Sequence, residues 1–136
     1  MKIRLTPDVI EERLKAAGIQ PTAQRIAIAR FVLCEAEHPT AEDVKKWADK
    51  NFPKMSLATV YNTLGNFVRA KLLKEVKLPH TDCTVYDDNV TSHYHFLDEK
   101  SGKLYDVDPR EIEIRPRLGK GISINSVEVL LRGKWK

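Results

Sequence analysis

Two histidines separated by a single residue, His93 and His95, are the part of this 136-residue chain best suited to chemistry. On an extended strand, side chains at i and i+2 leave the same face, so these imidazoles would stand side by side. Asp87 lies shortly before the pair, and Asp106 lies on the segment that returns toward it. Imidazole and carboxylate donors suit Fe(II), Mn(II) or Zn(II) and leave thiolate-preferring metals aside. Two surface histidines beside solvated acids would give the same pattern, but acids on both flanks favour the metal reading. Asp88 adjoins Asp87, so the choice of liganding acid stays open between them. His38, far away in sequence, carries no local clue to a role.

These residues need strands to position them, and the second half of the chain supplies the pattern. His93 to Leu97 alternates as a strand, 98–103 is a polar turn containing glycine, and Leu104 to Val107 is the returning strand. Ile112 to Arg115 and Ile124 to Leu131 are further strand candidates. A small antiparallel sheet is therefore expected. About 50 residues rarely hold a core alone, so the apolar Ile124, Val127, Val129 and Leu131 point to a partner, most simply a second copy.

The first half has helical periodicity instead. Thr6-Pro7-Asp8 opens one helix, closed by Gly18, and Pro21-Thr22 opens a second that runs to about Cys34. Thr40-Ala41-Glu42-Asp43 caps a third, ended by Asn51-Phe52-Pro53. Ser56 caps a fourth, from Leu57 to about Lys71. On this last helix Leu57, Val60, Leu64, Phe67 and Val68 share one stripe. The opposite side carries Ala58, Thr59, Asn62, Asn66 and Arg69, with Tyr61 on the flank. An ordinary solvated face would look similar, but context favours a working surface. Leu72 to Lys77, a turn at 79–82 and Thr84 to Tyr86 spell a β-hairpin directly after the helix. Helices followed by a hairpin predict a winged helix-turn-helix, whose last helix enters the major groove.

Charge agrees with that division. Lys and Arg number 23 against 19 Asp and Glu over the whole chain. Residues 1–76 hold 13 basic against 9 acidic side chains, and residues 77–136 hold 10 of each. The basic excess lies wholly in the half expected to bind a polyanion. No apolar run approaches the roughly 18 residues of a membrane span. Met1 to Pro7 shows no signal-peptide pattern, and two cysteines without a CxxC exclude a disulfide scaffold or a thiolate zinc site as the main architecture. A reduced, cytoplasmic protein without a membrane partner is expected. A metalloenzyme would need a nucleophile, a paired general acid or a phosphate loop beside the His/Asp cluster, and none accompanies it.

Ser56-Leu57-Ala58-Thr59-Val60-Tyr61-Asn62-Thr63-Leu64, then Tyr86-Asp87 and His93-Tyr94-His95, resembles the ferric uptake regulator (Fur) family. Gln20-Pro21-Thr22-Ala23-Gln24-Arg25 and His38-Pro39-Thr40-Ala41-Glu42-Asp43 belong to the same resemblance, which runs in order from about residue 10 to 107. It implies a homodimeric, metal-dependent transcription factor with an N-terminal winged helix and a C-terminal dimerisation domain. It also implies a regulatory metal held between the domains by His38, Asp87, His93, His95 and Asp106. The positions of the family's structural-zinc CxxC hold Asp98 and Ser101, so no structural zinc is expected. The second cysteine pair near the C-terminus is missing, and Ser92 and Tyr94 occupy positions of a further family metal site. These departures place the chain nearest the zinc-less Irr- and PerR-like branch. Haem, to which Irr members respond, is the weaker cofactor expectation, because there is no unbroken histidine run and no Cys-Pro motif.

The expected architecture is thus α+β, with a winged-helix DNA-binding domain at 1–87 and a metal-binding dimerisation domain at 88–136. The expected function is a non-enzymatic regulator, most simply a repressor, of iron-homeostasis or peroxide-stress genes. Fe(II) or Mn(II) would occupy the regulatory site, which Zn(II) can also fill in vitro. The partner would be a palindromic operator in double-stranded DNA, contacted by Arg25, Ser56, Thr59, Tyr61 and Asn62. The alternatives are a haem-responsive iron regulator and a metal-independent winged-helix interaction module.

Overall fold

Every long helix of the chain starts on a hydroxyl. In the computed structural model, which describes residues 4–78 and 82–136, the helices are α1 (Pro7–Ala16), α2 (Ala23–Arg30), α3 (Ala41–Asn51) and α4 (Leu57–Arg69). Their N-caps are Thr6, Thr22, Thr40 and Ser56, and each side-chain oxygen accepts the backbone N–H three residues on. This satisfies a donor that the helix start would otherwise leave unpaired. Asp43 returns the bond to the Thr40 N–H and completes a capping box. At the other end of α1, Gly18 takes a positive φ of 78°. Ile19 N–H then reaches back to the Leu14 carbonyl at 2.8 Å and closes the last turn.

The second helix ends sooner than its apolar pattern suggests. After Arg30 the chain widens into a π-helical turn, Phe31–Glu35, closed by Ala36 N–H on the Phe31 carbonyl at 2.8 Å. Widening turns Phe31 onto Trp47 of α3, with ring centroids 4.7 Å apart. Ile10 and Leu14 of α1, Ile28 of α2, Val32, Val44 of α3, and Val60, Leu64 and Phe67 of α4 form the core, each almost fully buried. Leu57, expected in the apolar stripe of α4, is 39% exposed, and Thr63 is buried instead.

Strands β1 (Lys74–Lys77) and β2 (Thr84–Asp87) pair antiparallel, with Lys74 opposite Asp87 and Lys77 opposite Thr84. This is the wing that the sequence predicts. Its expected turn lies, apart from Asp82, outside the described residues. The first compact unit ends at Val90, and the second is Thr91–Lys136.

The second unit is a three-stranded sheet in the order β4-β3-β5, made of β3 (Tyr94–Asp98), β4 (Leu104–Val107) and β5 (Leu130–Gly133). β3 and β4 pair antiparallel, with His95 opposite Asp106, as their short turn requires. β5 departs from the expected antiparallel sheet, because it runs parallel to β3. A parallel partner needs a long crossover, and residues 108–129 provide it. They consist of a 3-10 turn at Pro109–Glu111 and then a path without helix or strand that turns at Lys120 and Gly121. The strand expected at Ile112 to Arg115 is therefore absent, and the one expected from Ile124 begins only at Leu130. Ile114, Leu118, Ile122, Ile124 and Val127 on that path are all exposed.

The turn between β3 and β4 is fastened at the positions where the resemblance led us to look for cysteines. Ser101 Oγ donates to Asp98 Oδ2 at 2.6 Å, and the Lys100 N–H donates to Asp98 Oδ1 at 3.2 Å. Gly102 N–H meets the Asp98 carbonyl at 2.7 Å. The hydroxyl donor holds the Asp98 carboxyl below its ordinary value of 3.8.

Candidate metal centre and nucleic-acid interface

The first unit brings His38 to Asp87. His38 sits at the break before α3 with a positive φ of 46°, a conformation that a non-glycine residue keeps only where its surroundings enforce it. The following residue supplies the enforcement: the Pro39 carbonyl accepts the Tyr86 N–H from β2 at 2.8 Å. That bond carries the imidazole to the end of the wing, where His38 Nε2 lies 3.3 Å from Asp87 Oδ2. The Asp87 side chain is 1% exposed, and its Oδ1 accepts the Asn89 N–H at 2.9 Å. The distance in sequence between His38 and Asp87 is thus erased by one backbone hydrogen bond.

In the second unit, strand periodicity puts His93 and His95 on one face, with ring centroids 4.5 Å apart. Both are buried, and both address the same carboxylate oxygen across the ladder. His93 Nε2 lies 3.3 Å from Asp106 Oδ1, and His95 Nε2 lies 3.6 Å from it. The tautomer of His93 follows from its other nitrogen. Nδ1 is 2.6 Å from the Thr91 carbonyl, which can only accept, so Nδ1 carries a proton. With Nδ1 engaged there, Nε2 is the nitrogen that faces Asp106 Oδ1. A borderline divalent ion fits this imidazole and carboxylate set. The signal in the Thr91 carbonyl was not readable from the sequence, since it lies in backbone and not in residue type.

The polar side of α4 is more tied than its sequence suggests. Ser56 Oγ caps the helix and also lies 3.0 Å from the Thr59 hydroxyl, so both groups are engaged with each other. Tyr61 is 45% exposed, yet its hydroxyl donates to Glu42 Oε1 of α3 at 2.9 Å. The Glu42 carboxylate accepting that bond raises the Tyr61 phenol above its ordinary 10.0. Asn62 is exposed. Arg25 is half-buried on α2, with Nη1 on the Gln20 carbonyl at 3.0 Å. All five residues expected at DNA therefore lie in the first unit, on α4 or one helix away. Glu42 is the member that sequence reasoning missed, because it belongs to another helix.

Residues 16–131 match the model of the ferric uptake regulator family. The chain belongs to the ferric uptake regulator family. Among curated relatives it is 44% identical over 96 residues to the peroxide operon regulator of Bacillus subtilis, an alignment covering 70% of this chain and 65% of that one. It is 37% identical over 93 residues to the peroxide-responsive repressor PerR of Staphylococcus epidermidis, covering 68% and 61%. The matched stretch thus spans under two thirds of the length of these relatives. Among solved structures, the Pseudomonas aeruginosa ferric uptake regulator with manganese shares 26% identity and a TM-score of 0.69, over 94% of this chain and 98% of that one. Streptococcus pyogenes PerR shares 27% identity and a TM-score of 0.56, over 98% and 94%. The family's winged-helix and sheet architecture is the one observed here. Among the described residues, no helix is long and apolar enough to cross a membrane.

Proposed function

We propose that this chain is a metal-dependent, homodimeric DNA-binding regulator that represses peroxide-stress genes. The observation that carries the proposal is the convergence of His93 Nε2 and His95 Nε2 on Asp106 Oδ1, an imidazole and carboxylate set of the kind that holds a divalent ion. His38 and Asp87 complete the ligand set that the family resemblance implies. Such a set accepts Fe(II) or Mn(II), and an iron ion there would supply the redox chemistry that peroxide sensing needs. The chain's own residues do the rest. Thr91 holds His93 in the tautomer that presents Nε2. The Pro39 to Tyr86 hydrogen bond holds His38 to the wing strand. α4 offers Asn62 and the Tyr61 ring to base edges, with Ser56 and Thr59 shaping its first turn. The names of the PerR relatives favour peroxide over iron as the signal.

The ligand set is tested by counting Mn(II) per chain in the wild type and in single variants His38→Ala, His95→Ala and Asp106→Ala. One ion per chain is expected, with each variant losing it. A variant at His38 that retains a full ion at unchanged affinity would remove His38 and the first unit from the set. Mass spectrometry of the iron-loaded protein after peroxide is expected to find one added oxygen on His38 or His93. An unmodified chain would turn the reading toward an iron-responsive regulator.

A further inference from the structure

A second basic feature lies at the far end of α4, where Arg25 meets residues not yet assigned to DNA. Residues 59, 62, 66 and 69 recur at helical spacings of three and four, so they form one ridge along α4. The ridge ends in Arg69, which is exposed. Its guanidinium donates to the Asn66 carboxamide oxygen. Beneath it lies Gly65, and Arg69 Nη1 is 3.4 Å from where a Cβ on that glycine would sit. That separation is ordinary van der Waals contact, so Asn66 is the residue that holds the charge in place.

Arg69 is not alone there. Asn66, Arg69 and Arg25 line an open groove of about 440 Å³ whose other wall is the end of α1 at Gly18 and Gln20. Arg25 is tethered by one nitrogen to the Gln20 carbonyl, which leaves further N–H donors of its fork for a ligand. No carboxylate lines the groove among the described residues. Two positioned guanidinium groups and a carboxamide, with no acid beside them, suit an oxyanion carrying several acceptor oxygens.

We infer that Arg69, aimed by Asn66 and joined by Arg25, grips a backbone phosphodiester of duplex DNA at the edge of the groove that α4 enters. The inference rests on the DNA-binding reading and adds to it a sequence-independent anchor at the C-terminal end of the helix. An anchor of this kind sets how far the helix advances while Asn62 reads bases.

Fluorescence anisotropy with a labelled duplex of arbitrary sequence tests it, using the full-length Mn(II)-loaded protein across a salt series. Arg69→Gln is expected to weaken binding on the order of tenfold and to lower the slope of log affinity against log salt by about one. Arg69→Lys should recover part of the affinity, and Asn66→Ala should fall between. Circular dichroism and Mn(II) uptake should stay at wild-type values, since Arg69 is exposed. Exchanging chloride for inorganic phosphate at equal ionic strength should leave wild-type binding unchanged. Displacement of DNA by the free ion, matched by loss of that sensitivity in Arg69→Gln, would overturn the phosphodiester in favour of a small-anion site. Wild-type binding with an unaltered affinity and slope in Arg69→Gln would overturn the anchor alone. A wild-type chain that binds no duplex would overturn the DNA reading and the anchor together.

Discussion

Tyr61 shows how a side chain on a recognition surface is assigned before any ligand arrives. Its ring is exposed, but its hydroxyl is held by Glu42, so the ring edge and not the hydroxyl is offered outward. The carboxylate that accepts the bond also disfavours ionisation, which raises the phenol above 10.0. Glu42→Gln removes that charge, and a tyrosine titration followed by NMR should find the Tyr61 midpoint moved down toward 10.0. A midpoint that stays put would show that the Glu42 contact does not persist in solution. At this scale the sequence was generous with the metal-binding types and poor in their partners. His93, His95 and Asp106 were legible because strand alternation is a local rule. His38 became legible only through the resemblance, since nothing beside it in the sequence says that Pro39 bonds to Tyr86. Glu42 and the Thr91 carbonyl were invisible, because one belongs to another helix and the other is backbone.

The elements were legible wherever a cap or a period of two marked them. The hydroxyl-bearing starts placed the beginnings of the four helices within a residue or two, and His95 pairs with Asp106 as the short turn demands. The errors came where long-range pairing decides. β5 lies parallel to β3, and neither Ile112 to Arg115 nor the stretch from Ile124 to Val129 forms strand, with Ile114, Ile124 and Val127 exposed. No local pattern distinguishes an unpaired extended segment from a strand. The β3–β4 turn carries its own prediction. Asp98 titrates below 3.8 in the folded chain because Ser101 donates to it. A depressed carboxyl stabilises the fold above its unfolded value, and that contribution is lost as pH falls through the lower, folded value. Ser101→Ala should therefore move the acid-unfolding midpoint to higher pH, with little change at neutral pH beyond the lost hydrogen bond. An unchanged acid midpoint would show that the turn does not depend on this bond. The helix core behaves differently: Leu64 is fully buried in it, and Leu64→Ala should cost about 2–5 kcal/mol in denaturant unfolding.

At the scale of the whole molecule, the chain joins a helical unit to a sheet unit, and the proposed ligands are drawn from both. A metal that takes donors from each restricts how the recognition helices are presented, which couples metal occupancy to DNA affinity. The exposed apolar residues 114–127 fit a second copy as partner, and a dimer would present two α4 helices to a palindrome. The family could be read from the sequence because both units carry short, ordered motifs. The most direct test is DNA affinity measured by anisotropy on one operator-length duplex, selected from random sequence, for the metal-free protein and during Mn(II) addition. Metal-dependent regulation predicts weak binding without metal and a rise of at least tenfold that saturates at one Mn(II) per chain. Equal affinity with and without Mn(II) would contradict it.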